Sequence, residues 1–187
     1  MKKLFKRRSF LHLGAMTGIA SGISLPALGE RASGSTAGVK QYNTLGRTGL
    51  KISDISFGAA TLRRGEEYLV EYALDLGVNY FDTAESYSSG QSEPVIGNAL
   101  KGKRDKVVLA TKAMVGVRTG RDEMMGVLEE SLRNLKTDYV DVYFNHAVNN
   151  IKRLKNPEWD AFVDKARQQG KIRFTGMSGH AGRLAEC

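Results

Sequence analysis

The chain has 187 residues, with 28 Lys and Arg against 20 Asp and Glu, 41% hydrophobic residues and one cysteine, Cys187. Five of the cations and no acid lie in the first 29 residues, so the formal charge of +8 falls to +3 for the rest, an ordinary value that gives no reason to expect nucleic acid. One cysteine excludes an internal disulfide and a zinc ribbon, and three histidines without HExxH or HxxEH spacing argue against a metal centre.

In chain order, Lys2, Lys3, Lys6, Arg7 and Arg8 precede an uncharged, weakly apolar stretch over residues 10–28. Lys6-Arg7-Arg8-Ser9-Phe10-Leu11-His12 resembles a twin-arginine export motif, and Ala27-Leu28-Gly29 offers small residues at a cleavage position. Residues 1–29 therefore read as a twin-arginine-type signal peptide. The twin-arginine machinery is the expected partner and the periplasm the expected destination, with a cytoplasmic location as the alternative. The stretch is rich in Gly, Ser and Thr, a poor composition for a spanning helix, so no stable membrane span is expected in the mature chain. Residues 30–40, rich in Gly, Ser and Ala, read as a flexible linker.

From there the chain alternates strands and helices. Apolar or β-branched runs over residues 55–57, 78–82, 107–111, 139–144 and 172–175 predict strands covered on both faces. Helices are predicted over residues 64–76, 92–101 and 157–169, each followed by a glycine (Gly77, Gly102, Gly170) able to take the left-handed conformation just past a helix end. Thr119, with Asp122 three residues on, predicts the start of a further helix, whose Met124, Leu128, Leu132 and Leu135 would face the strands. Asn156-Pro157 is another helix start. Repeated βαβ units permit a closed barrel or an open doubly wound sheet. A dinucleotide fold of the second kind needs Gly-x-Gly-x-x-Gly after its first strand, which Phe57-Gly58-Ala59-Ala60 does not supply. Gly176, Gly179 and Gly182 have the wrong spacing for it and read as a tight turn with close backbone approach. The barrel is the better reading.

Asp82, Tyr87, Lys112 and His146 lie at or just past the ends of strand runs, and in a parallel barrel such positions converge on one mouth. Each alone has a bland explanation as a turn, core, solvated or structural residue. Together they suit proton donation to a carbonyl: a phenol as acid, an ammonium beside it that favours phenolate, a carboxylate that keeps the ammonium charged, and a neutral imidazole that donates a hydrogen bond.

The wording around these residues resembles the aldo/keto reductase family. Tyr42-Asn43-Thr44-Leu45-Gly46-Arg47-Thr48-Gly49-Leu50-Lys51-Ile52-Ser53 is similar to its N-terminal hairpin, and Phe81-Asp82-Thr83-Ala84-Glu85-Ser86-Tyr87 to its second-strand motif. Ser92-Glu93 with Ile96-Gly97, Ala110-Thr111-Lys112, Asp138-Tyr139-Val140-Asp141-Val142-Tyr143 leading to His146, and Gly170-Lys171-Ile172-Arg173 follow in family order. The resemblance implies an α/β fold, the (β/α)8 TIM barrel, over residues 41–187. Only about the first five β/α units are legible, so the domain reads as C-terminally incomplete.

It further implies reduction of an aldehyde or ketone, a small-molecule carbonyl substrate, by a nicotinamide cofactor. NADP is the family's usual choice, and NAD is possible because the discriminating residues fall beyond the fifth strand. Carried over by motif, Tyr87 is the general acid, Lys112 and Asp82 make it a better one, and His146 orients the carbonyl. Asp82 would also lie beside the ribose. Ser178 matches the serine that contacts the carboxamide, although many members follow it with Asn where Gly179 stands here. His180 could take part of that role or cap the next helix. The alternative is a truncated, non-catalytic relative acting as a binding subunit.

Overall fold

The computed structural model describes residues 38–180 and residue 187. The leader, most of the linker and the helix expected after the fifth strand lie outside the described residues. At the described edge of the linker, Val39 N donates to Leu76 O at 2.9 Å.

Two short strands, β1 (Tyr42–Thr44) and β2 (Lys51–Ser53), form an antiparallel hairpin. Five more, β3 (Phe57–Gly58), β4 (Tyr80–Asp82), β5 (Val108–Ala113), β6 (Val140–Asn145) and β7 (Ile172–Met177), pair in parallel in sequence order. A doubly wound sheet reverses its strand order at a switch point, and this sheet does not. It is the open, five-stranded part of a (β/α)8 barrel.

The helices are α1 (Glu67–Asp75), α2 (Ser92–Ala99), α3 (Arg121–Leu135), α4 (Ile151–Leu154) and α5 (Glu158–Gln168). Val70, Ile96, Met124, Leu128, Leu135 and Phe162 bury against Phe81, Leu109 and Tyr143 on one face of the sheet. Burial of a side chain of this size contributes roughly 1.5–3 kcal/mol. On the other face Val108, Ala110 and Val142 meet Leu45, Leu50 and Ile52 of the hairpin. Asn79, just before β4, ties the hairpin down: its Oδ1 accepts from Ser53 N at 2.7 Å and its Nδ2 donates to Lys51 O at 2.9 Å. The hairpin therefore closes the N-terminal end of the strands and leaves the C-terminal ends open.

The apolar stripe of α3 faces the sheet as expected, and Gly77, Gly102 and Gly170 all carry the positive φ of a helix stop. Three details differ. The first sheet strand begins at Phe57, while Ile55 is 57% exposed because its carbonyl turns to accept from Ser53 Oγ at 2.6 Å. Thr119 does not cap α3: Gly120 occupies that position with no side-chain bond, and Thr119 Oγ1 instead accepts from Gly116 N at 2.9 Å. Between β6 and the predicted helix start at Asn156-Pro157 lies a short helix, α4, that the sequence pattern did not predict.

Candidate active site

Lys112 is the centre of the site. It lies on β5 with 5% exposure, and its ammonium has three acceptors: Asp82 Oδ1 at 2.5 Å, Thr83 O at 2.8 Å and the Tyr87 phenol oxygen at 3.1 Å. Asp82 ends β4, one strand away, and 28% of its side chain meets solvent at the mouth. The chain leaving β4 stays paired to β5, with Thr83 N donating to Ala110 O at 2.9 Å and Glu85 N to Lys112 O at 3.1 Å. That extension carries Tyr87 over Lys112, whose Nζ lies 4.5 Å from the ring centre.

Tyr87 opens a 3-10 turn, Tyr87–Gly90, in which Ser88 and Ser89 have φ of 51° and 57°. Non-glycine residues enter this region only at a cost, so neighbours must hold the turn. Ser88 Oγ donates to Ala60 O at 3.2 Å, and Ser92 Oγ donates to Ala59 O at 2.9 Å while pairing with Thr83 Oγ1 at 2.8 Å.

His146 follows β6, with its N–H donating to Ala113 O at 2.8 Å. Its ring meets Tyr87 edge-on at 5.6 Å and His180 at 5.8 Å. Burial holds its basicity below the ordinary histidine value, helped by the positive charge of Lys112 and then by His180, with Asp82 opposing. These surroundings favour the neutral imidazole. Its Nδ1 is buried without a partner.

Behind the site, Thr111 Oγ1 donates to Glu93 Oε1 at 2.6 Å, anchoring β5 to α2 beside Lys112. Burial pushes the Glu93 carboxyl up, against hydrogen bonds led by that from Thr111. Ser178 stands one step away from the other four. Its Oγ accepts from Ala147 N at 3.2 Å, which leaves the hydroxyl hydrogen free to donate.

A cavity of about 720 Å³ lined by Arg104, Leu132, Arg133, Lys136 and Lys171 touches none of these residues. The site itself is a mouth left open on one side by the unclosed sheet. Among the described residues no three His, Cys, Asp or Glu side chains are grouped to hold a metal, and no helix is long and apolar enough to cross a membrane.

Residues 54–186 match the sequence model of the aldo/keto reductase family. The chain belongs to the aldo/keto reductase family. The uncharacterized oxidoreductase YrpG of Bacillus subtilis (strain 168) is 35% identical over 166 residues, covering 76% of this chain and 50% of that protein. Aldo-keto reductase AKR11C1 from Bacillus halodurans, in its holo form, superposes with a TM-score of 0.69 at 30% identity, over 78% of this chain and 52% of that one. An aldo/keto reductase from Klebsiella pneumoniae in complex with NADP and acetate gives 0.62 at 31% identity, over 74% and 50%. The chain spans about half the length of the curated relatives it matches.

The four residues marked by strand-end position lie together at this mouth, and Ser178 lies beside them. Arg153, which braces the loops around the mouth, carries no sequence signal, because its partners are main-chain carbonyls. Asn156, marked as a helix start, accepts from Glu158 N at 2.8 Å and also braces the mouth through Gly116 O and Thr119 O. The role of Thr83 was equally hidden, because it acts through its carbonyl.

Proposed function

We propose that this protein reduces an aldehyde or ketone to the alcohol, with Tyr87 as the general acid. The observation that carries the reading is the ammonium of Lys112, buried and saturated by Asp82, Thr83 and the Tyr87 oxygen. Because the phenol oxygen accepts from Nζ, its own hydrogen stays available for a substrate oxygen. As that proton leaves, the adjacent ammonium, ion-paired with Asp82, stabilises the phenolate. A neutral His146 donates a hydrogen bond to the same oxygen and orients it.

A nicotinamide cofactor, when bound, supplies the hydride. The donor set fits one in part: Asp82 presents a partly exposed carboxylate able to accept from a ribose hydroxyl, and Ser178 keeps an O–H able to donate to a carboxamide. NADP is the favoured cofactor because aldo/keto reductases of similar structure bind it.

The deciding experiment is Tyr87→Phe. Carbonyl reduction should fall by a factor of about 10²–10⁴ while NADPH binding, read by nicotinamide fluorescence, persists. Retained turnover would refute the acid assignment. Absence of any nicotinamide binding in the unvaried protein would favour the non-catalytic alternative.

Residues 1–29 are proposed to direct export through the twin-arginine route, which suits a protein that folds around its cofactor before crossing. A reporter fused to residues 1–35 that stays in the cytoplasm would defeat this.

A further inference from the structure

The loops leaving β5 and β6 are fastened to each other by two side chains that flank the mouth. The guanidinium of Arg153 donates to three carbonyls: Nε to Val115 O at 2.7 Å, Nη1 to Ala147 O at 2.6 Å and Nη2 to His146 O at 2.8 Å. Asn156, 5% exposed, donates to Gly116 O at 2.9 Å and to Thr119 O at 3.0 Å.

Between them stands Ala147, directly after His146, with φ of 53°. This left-handed conformation is unfavourable for a residue with a Cβ and persists only where surroundings over-determine it. Here they do. Beyond the two arginine bonds, Ala147 N donates to Ser178 Oγ at 3.2 Å and Val148 N to Ser178 O at 2.6 Å. A planar guanidinium can meet three carbonyls in fixed directions, whereas a lysine has one nitrogen and lacks that fork.

We infer that Arg153 is the positioning residue for His146, holding the left-handed turn at Ala147 so that the imidazole stands edge-on to Tyr87 at the mouth. This rests on the reading of His146 as the group that orients the carbonyl.

The test compares Arg153→Gln, Arg153→Lys and the double variant Arg153→Gln/Ala147→Gly, by kinetics and by NMR of the His146 ring. Arg153→Gln should lower kcat by about tenfold to a hundredfold, with the KM for NADPH little changed. Arg153→Lys should not restore it. Adding Ala147→Gly should restore most of it, because glycine adopts the turn without help. An unchanged kcat in Arg153→Gln, full rescue by lysine, or no rescue by glycine would each overturn the inference. If the unvaried protein reduces no carbonyl, the proposed function fails alone and the NMR arm still decides. The His146 ring signals should broaden in Arg153→Gln and sharpen with Ala147→Gly; signals unmoved by Arg153→Gln would refute the clamp.

Discussion

Gly97 and Gly126 both lie inside helices, and alanine at the two positions should have opposite effects. A Cβ at Gly97 would sit 2.5 Å from Asn134 O and 2.7 Å from the Leu135 carbonyl carbon, where ordinary contact begins near 3.4 Å. Both are main-chain atoms of α3 and its end, so no side chain can rotate away and the two helices must part by roughly 0.9 Å in a close-packed interior. Overpacking of this kind costs up to about 3 kcal/mol, and the better helix propensity of alanine returns about 1, for a net loss of about 2 kcal/mol. At Gly126 nothing lies within 4 Å, so only the propensity gain remains, about 0.5–1 kcal/mol of stabilisation. Both changes restrict the unfolded chain alike, which makes their difference a measure of packing alone. Urea unfolding with a common m-value is the assay. If Gly97→Ala proved as stable as Gly126→Ala, the close approach of α2 and α3 would be wrong.

Asp82→Asn leaves the buried Lys112 ammonium with neutral acceptors only and no counter-charge. The loss should be about 2 kcal/mol, less than for a fully buried pair because Asp82 meets solvent, and an unchanged melting temperature would contradict it. The depressed basicity of His146 makes stability fully present above the ordinary value of 6.5 and lost as pH falls from there through the lower folded value, since the unfolded chain takes up the proton first. His146→Gln should remove that part of the slope in a pH series of urea midpoints. For Glu93 the sign reverses: its contribution is fully present below 4.5 and lost as pH rises through the raised folded value. Glu93→Gln keeps an acceptor for Thr111 and should raise stability at neutral pH, whereas a less stable variant would show that the carboxylate itself is required.

The strands and the four central residues were legible because buried parallel strands are unbroken apolar runs and the site hangs on their ends. Asp82, Lys112 and His146 followed from strand-end position and chemical type taken together. Tyr87 was marked by its place five residues past a strand run and by its chemistry, but the 3-10 turn that carries it was not legible, since a turn built on two left-handed serines has no pattern of its own. Thr119 looked like a helix cap but serves the preceding loop. Its hydroxyl takes the nearer amide of Gly116, and Asn156 takes its carbonyl. Ile55 is apolar and β-branched, yet it falls in the bend between hairpin and sheet, where tertiary placement outweighs propensity. The brace made by Arg153 was invisible for a different reason: main-chain acceptors exist at every residue and mark none of them.

The three acceptors around Lys112 give the site a polarity. An ammonium can only donate, so the phenol oxygen can only receive from it, and the phenol hydrogen must be aimed elsewhere. A neutral amine in the same place would offer a lone pair, and the hydroxyl could swing inward to meet it. The mouth would then present no phenol hydrogen, with every atom still present. The charge on Lys112 thus acts as a ratchet on the direction of one O–H bond, and Asp82 and the Thr83 carbonyl keep that ratchet set.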